Sequence, residues 1–367
     1  MQFLRTGRRR AHGVLFLACL WSGMAFAASD PLPGLGTDPA KNTVSGLSSG
    51  AFMATQFGVA YAKEIQGVGI VAGGPFFCSG IGGFGAERFI QNATTNCLNP
   101  VGPAPSGKAA WKEARSLAEK HEIDSTDHIA RQRIYIFTGG HDTVVSPRVV
   151  EQTQLFYEAA GVPARQIRFV SFPGAGHALV TANGSDLACA ANTSPNLNNC
   201  GFVQAHDILR WLYGDKLKEP AERLGGSWVS FDQTEFIREA FRQIQEKDPK
   251  RYIGLAETGH AYIPAACREK NSACRTHVVF HGCFQQEQLL GDRFYRTGGY
   301  NELADTNGIV VLYPQTVSSA RNPQGCWDFW GYSSKNPAAP DFYTRRGPQM
   351  LAIDAMLRRL NSAPRSH

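Results

Sequence analysis

At 367 residues the chain is long for one domain and short for two large ones. Hydrophobic residues make up 43% and charged residues 19%, which excludes a disordered chain. The net charge is +6, but Arg5, Arg8, Arg9 and Arg10 supply four of those charges near the N-terminus, and the remaining +2 gives no electrostatic case for nucleic acid.

Residues 1–12 are basic and polar, residues 13–20 (GVLFLACL) are apolar, and Ala25-Phe26-Ala27 is a small-x-small cleavage site. This is the pattern of an export signal over residues 1–27, too short for an anchor, leaving 28–367 as a single domain. No later uncharged apolar run reaches 18 residues, so no membrane span is expected.

The elements then follow in order. Residues 42–45 read as a short strand, 51–62 (AFMATQFGVAYA) as a helix with a small-residue face, and 65–72 as a buried β-branched strand. The Gly-, Asn- and Pro-rich stretch 75–108 reads as a loop excursion. A helix over 109–121, a strand over 133–137 (RIYIF) and a helix over 147–160 with Pro147 at its start come next. A strand at 166–172 and a helix at 202–213 end this half. Residues 214–230 form a polar connector. Beyond it, 261–263, 277–280 and 309–313 are predicted strands, 286–298 a helix, and 348–360 an amphipathic helix with Met350, Leu351, Ile353, Met356, Leu357 and Leu360 on its apolar side. Strand and helix alternate, which implies an α/β fold with a mostly parallel sheet flanked by helices.

There are nine cysteines. Cys19 lies in the export signal, and the other eight, an even number in an exported chain, read as disulfides. Spacing pairs Cys78 with Cys97, Cys189 with Cys200 and Cys267 with Cys274, and leaves Cys283 for Cys326. The same eight allow 105 connectivities. No CxxC pair marks a metal site, and none is expected.

Gly46-Leu47-Ser48-Ser49-Gly50 is a G-x-S-x-G between a predicted strand and a predicted helix, the setting of a nucleophile elbow. Its glycines permit the tight turn that exposes the Ser48 hydroxyl. A hydroxyl needs a base, and the base an orienting acid. Asp142 follows the strand 133–137 and His177 follows the strand 166–172, both at strand C-terminal ends, where α/β sheets place their sites. The order Ser, Asp, His is that of α/β-hydrolases. Asp186 and Asp207 are rival acids that break this order; His141 and His206 are rival bases. For an oxyanion hole, Ser49 supplies the N–H after the nucleophile. The second N–H ordinarily comes from an upstream strand, but only 20 residues separate the export signal from Ser48. The candidate is the downstream run Val278-Val279-Phe280-His281-Gly282-Cys283. The usual N-terminal half has then moved to the C-terminus. This is a circular permutation joined through 214–230, with the helix 348–360 leading into the Ser48 strand.

With these residues in place the chain resembles the extracellular poly(3-hydroxybutyrate) depolymerases of the single-domain, permuted type, whose lipase box lies near the N-terminus. The segments that carry the resemblance are 46–50, 139–142, 174–177, 262–264, 281–283, 307–315 and 322–332. The resemblance implies a circularly permuted α/β-hydrolase and a serine esterase with Ser48, Asp142 and His177 as triad. It implies the Ser49 and Cys283 N–H groups as oxyanion hole, Trp327 as a hydrophobic wall for the monomer unit, and Asn322 as a donor to an ester carbonyl. Trp327 also suits a core and Asn322 a turn cap. The expected partner is a polyester or oligoester as substrate of a monomeric enzyme, with no cofactor, metal, nucleic acid or membrane. Many bacterial members carry a Thr-rich linker and a separate substrate-binding domain. None is expected here, so polymer adsorption would use the catalytic domain's own surface. The same chemistry suits a feruloyl or acetyl-xylan esterase, and a secreted polymer-binding protein without activity is the alternative of another class.

Overall fold

The computed structural model describes Gln2 and residues 31–81, 86–248, 252–269, 272–336 and 338–364. Apart from Gln2, the segment 1–27 in which an export signal is expected lies outside the described residues.

The first half runs β1 (Asn42–Leu47), α1 (Ser49–Ala60), β2 (Ile65–Val71), α2 (Ala86–Thr94), α3 (Gly107–Glu119), β3 (Arg133–Gly139), α4 (Pro147–Ala159) and β4 (Ile167–Phe172). A small second sheet follows, from β5 (Leu179–Thr181), β6 (Leu187–Ala188) and β7 (Leu197–Asn199), and then α5 (Gln204–Tyr213). The second half runs β8 (Ser227–Asp232), α6 (Thr234–Gln243), β9 (Thr258–Ile263), β10 (Arg275–Phe280), α7 (Glu287–Leu290), α8 (Arg293–Thr297), α9 (Tyr300–Thr306), β11 (Ile309–Tyr313) and α10 (Pro348–Asn361).

Eight strands form the main sheet in the order β4-β3-β2-β1-β10-β11-β9-β8. The pairs from β4 to β11 are parallel, whereas β9 is antiparallel to both β11 and β8. Read from β8 onward, the chain lays down its strands in the order of an α/β-hydrolase sheet, with the antiparallel strand second. The break in that order falls before β1, the strand that leads into Ser48. The segment entering β1 lies along the end of α10, with Leu35 N–H donating to the Leu360 carbonyl at 3.0 Å and Gly36 N–H to that of Ser362 at 2.8 Å. This contact sets α10 immediately before β1 in space, where an unpermuted chain would run continuously.

Helices cover both faces of the sheet. In β2 the side chains alternate: Val68 meets Gly58 of α1, while Gly67 and Gly69 lie against Leu212 and Ile208 of α5. A β-carbon on Gly58 would come within 2.5 Å of Val68, so this helix and strand approach as closely as glycine allows. Every residue of α1 is buried, which explains why its sequence shows small and apolar residues all round rather than one stripe. β1 is likewise buried along its whole length, as expected of a strand covered on both faces. Polar groups in this layer are paired: His277 of β10 bridges Thr43 Oγ1 through Nδ1 at 2.7 Å and Ser45 Oγ through Nε2 at 2.8 Å. His277 and His281 stand four residues apart in sequence, yet their rings serve these internal bonds.

Several expectations need correction. The stretch 75–108 contains α2. The helix expected over 286–298 is two short helices, because Gly291 at φ +62° lies between α7 and α8. The connector ends at residue 226, β8 begins at Ser227, and β8, α6 and α9 have no counterpart among the predicted elements. The structure joins Cys78 to Cys97, Cys189 to Cys200, Cys267 to Cys274 and Cys283 to Cys326.

Candidate active site

β1 ends at Leu47 and α1 starts at Ser49, which leaves Ser48 alone to make the turn, at φ 56° and ψ −123°. A positive φ at a non-glycine residue holds roughly 1–3 kcal/mol of strain. Hydrogen bonds on both sides keep it in place: Ser48 N–H donates to Val71 C=O at 2.9 Å, and its carbonyl accepts from Ala51 and Phe52. The flanking glycines are needed for close approach. A β-carbon on Gly46 would lie 2.3 Å from the Gly50 backbone, and one on Gly50 would lie 2.2 Å from the Phe280 carbonyl oxygen.

His177 stands after β4 with its Nδ1 2.8 Å from Asp142 Oδ2, and both side chains are buried. The other Asp142 oxygen accepts the N–H groups of Val144 and Val145, each at 2.8 Å, which fixes the carboxylate. Asn192, which the sequence does not single out, ties the Asp142 and His177 loops together. Its Oδ1 accepts from the backbone N–H of His177 at 2.9 Å and of Thr143 at 3.1 Å, and its Nδ2 donates to the His141 carbonyl at 2.9 Å. Asn192 lies within the loop closed by Cys189–Cys200. Asn196 Nδ2 donates to the His177 carbonyl at 2.8 Å. The rivals stand elsewhere: Asp186 pairs with Arg293 and Thr181, and His206 and Asp207 lie on α5. His141 is the turn residue before Asp142, its N–H bonded to Ala175 C=O.

β10 ends beside β1 and delivers His281-Gly282-Cys283. Gly282 N–H donates to Gln285 Oε1 at 2.6 Å, and Gln285 Nε2 donates to the Pro195 carbonyl at 2.7 Å, linking this loop to the His177 side. Cys283 and Cys326 are bonded, so the two loops share one anchor. Ser48, His177 and Cys283 line a single cleft of about 570 Å³. Ser49 is the first residue of α1, where an N–H has no intrahelical acceptor. A strained serine, a histidine held by a buried carboxylate and a helix N-terminus at one cleft can carry out acyl transfer.

No family model matches the chain. It is 37% identical over 334 residues to the poly(3-hydroxybutyrate) depolymerase of Delftia acidovorans, a match covering 90% of this chain and 62% of that one. It is 31% identical over 358 residues to the polyhydroxybutyrate depolymerase of Talaromyces funiculosus, covering 93% of this chain and 95% of that one. The chain belongs to the polyhydroxybutyrate depolymerase family. Solved depolymerase structures agree. The enzyme from Penicillium funiculosum superposes with a TM-score of 0.78 at 30% identity, and a serine-to-alanine PHB depolymerase complexed with an R3HB trimer gives 0.77 at 29%. Each comparison covers 90% of this chain and 99% of the other. Relative to the Delftia depolymerase, the chain spans 62% of the length.

Two residues that the depolymerase resemblance assigned to substrate are placed differently. Trp327 has no exposed surface and does not line the cleft. Its ring packs on Phe280 and His281, at 4.9 and 5.5 Å between centroids, where it supports the end of β10. The aromatic wall is instead Phe329 and Trp330, with Phe329 stacked on Phe52 at 4.5 Å. Asn322 reaches the cleft lining, but its side chain is occupied. Oδ1 accepts Cys326 N–H at 2.9 Å and Nδ2 donates to Cys326 C=O at 2.8 Å, so it braces the loop. Asp328, which the sequence does not single out either, organises the wall. Its oxygens accept the N–H groups of Trp330, Gly331, Tyr332 and Ser333 and the Ser333 hydroxyl. Burial still pushes its carboxyl above the usual range.

Proposed function

We propose that this protein is an exported serine esterase that hydrolyses poly(3-hydroxybutyrate) or its oligomers to 3-hydroxybutyrate units. The observation that carries the reading is the cleft shared by Ser48, His177 and Cys283, with Asp142 on the far nitrogen of His177. Ser48 Oγ attacks the ester carbonyl carbon as the His177 nitrogen remote from Asp142 takes its proton. Asp142 holds the imidazole and stabilises its charged form. The carbonyl oxygen becomes an oxyanion and accepts the N–H groups of Ser49 and Cys283; one such donor contributes about 3–4 kcal/mol. The tetrahedral species collapses, the C–O bond to the alkoxy half breaks, and His177 returns the proton to that leaving oxygen. Water, deprotonated by His177, then attacks the acyl-Ser48 carbonyl through the same oxyanion; as that species collapses the bond to Ser48 Oγ breaks, His177 returns the proton to Oγ, and the 3-hydroxy acid leaves. Phe329 and Trp330 form an apolar wall against which a short alkyl side group packs.

Export is supported by the leader pattern of residues 1–27 and by the four disulfides, which persist in oxidising compartments. The deciding experiment incubates the purified protein with amorphous poly(3-hydroxybutyrate), polyhydroxyoctanoate and methyl ferulate in parallel. Release of 3-hydroxybutyrate monomer and short oligomers from the first is expected, with slower attack on the longer side chain. Rapid ferulate release with both polymers intact would replace this reading with that of a plant-wall esterase.

A further inference from the structure

The residues lining the catalytic cleft include no carboxylate and, apart from His177, only one basic side chain, that of Arg321. Among the described residues, no hydrogen bond or ion pair engages the Arg321 guanidinium, and the residue is exposed at the cleft. Its backbone, in contrast, is held firmly. Arg321 lies in a tight turn closed by Ser319 N–H to Asn322 C=O at 3.0 Å and Asn322 N–H to Ser319 C=O at 3.1 Å. Asn322 is clamped to the Cys326 backbone, and Cys326 is bonded to Cys283. A cation on a free side chain is thus fixed at its base to the loop of the oxyanion donor.

A neutral polyester interior offers such a cation ester carbonyl oxygens but no opposite charge. An oligomer of a hydroxy acid does, because each chain ends in one carboxylate. That carboxylate always lies on the alkoxy side of the scissile ester, the half that leaves when the acyl-enzyme forms. A guanidinium presents a planar fork that matches a carboxylate with two parallel hydrogen bonds. We propose that Arg321 binds the terminal carboxylate of short oligoester substrates and so makes the enzyme favour chain ends and oligomers over interior bonds. This assignment rests on the polyester reading of the cleft.

The test compares the free acid of a 3-hydroxybutyrate trimer with its methyl ester, so that each enzyme serves as its own control. The wild type is expected to favour the acid about five- to tenfold in kcat/KM, mostly through KM, as for a charge-assisted contact in a partly solvated cleft. The preference should shrink as salt is raised. Arg321→Gln is expected to bring the ratio close to one, and Arg321→Lys to restore part of it. A wild-type ratio near one, or an unchanged ratio in Arg321→Gln, would overturn the assignment. Cleavage of neither trimer, with p-nitrophenyl butyrate still hydrolysed, would remove the polyester reading and this proposal together.

Discussion

Acidification from pH 7 to pH 5 should destabilise the fold through two buried histidines. His277 and His281 are fully buried, and burial lowers their basicity from the ordinary 6.5 to about 3 and about 4. Folded, both stay neutral throughout this range; unfolded, both take up a proton below 6.5. Their folded pKa values are depressed, so the stability they contribute is complete above 6.5 and is lost as pH falls towards 3–4. Each decade of acidity below 6.5 costs about 1.4 kcal/mol per group, hence about 2 kcal/mol each at pH 5 and about 4 kcal/mol together. Asp354 opposes this: burial raises its carboxyl to about 6, so proton uptake between pH 6 and 5 returns about 1.4 kcal/mol. These three groups together remove about 2–3 kcal/mol between the two pH values, while the buried Asp328 and half-buried Glu302 carboxyls act in the sense of Asp354 and His206 in that of the two histidines. The measurement is urea unfolding of His277→Gln, which removes one titrating ring from between Thr43 and Ser45. The destabilisation of this variant relative to wild type should be about 2 kcal/mol smaller at pH 5 than at pH 7. Equal values at both pH values would refute the reasoning.

Other outcomes follow from the site. Ser48→Ala should lower the rate by several orders of magnitude, and a serine-directed phosphonate should label Ser48 rather than Ser49, as read by peptide mass mapping. Asp142→Asn should keep the fold, since its amide oxygen still accepts from Val144 and Val145, yet lower kcat by about 10⁴ through the wrong imidazole tautomer. Trp327→Ala should cost about 3–5 kcal/mol in denaturant unfolding, as for a fully buried ring, whereas Trp330→Ala, at a half-buried ring on Phe329 and Tyr332, should cost less and raise KM for oligoesters. Reducing Cys283–Cys326 should lower esterase activity before the far-UV circular dichroism signal is lost, because that bond joins the oxyanion loop to the cleft wall.

The parts of this molecule written in local sequence were legible in it. Strands such as Ile309–Tyr313 are short β-branched runs that no other local structure suits, and the Ser48 elbow, Asp142 and His177 each sit directly after such a run. The amphipathic helix Thr234–Gln243 carries a strongly charged face and lies just past the polar connector, where its short apolar stripe gave no element, and Ala86–Thr94 is hidden because glycine, asparagine and proline crowd its flanks. What sequence could not decide was direction. In Trp327-Asp328-Phe329-Trp330 two indoles stand three residues apart, and only the packing of Phe280 and His281 determines that the first turns inward. Asn192 carried no signal, since a lone asparagine in a loop looks alike whether it faces solvent or joins two catalytic turns.

The placing of β1 beside β10 has a consequence for the order in which this protein is born. Thr43 pairs in register with His277, so the strand leading into Ser48 emerges among the first from the ribosome while its central neighbour comes more than 230 residues later. Until then, the elbow has β2 on one side and an open edge on the other. The Phe280 carbonyl that presses on Gly50, and the Cys283 loop beyond it, do not yet exist in the chain. Such distant strand pairing makes assembly slow, because the loop must close before its contacts can form. The cleft lined by Ser48, His177 and Cys283 therefore cannot be completed on a partial chain that lacks the β10 loop.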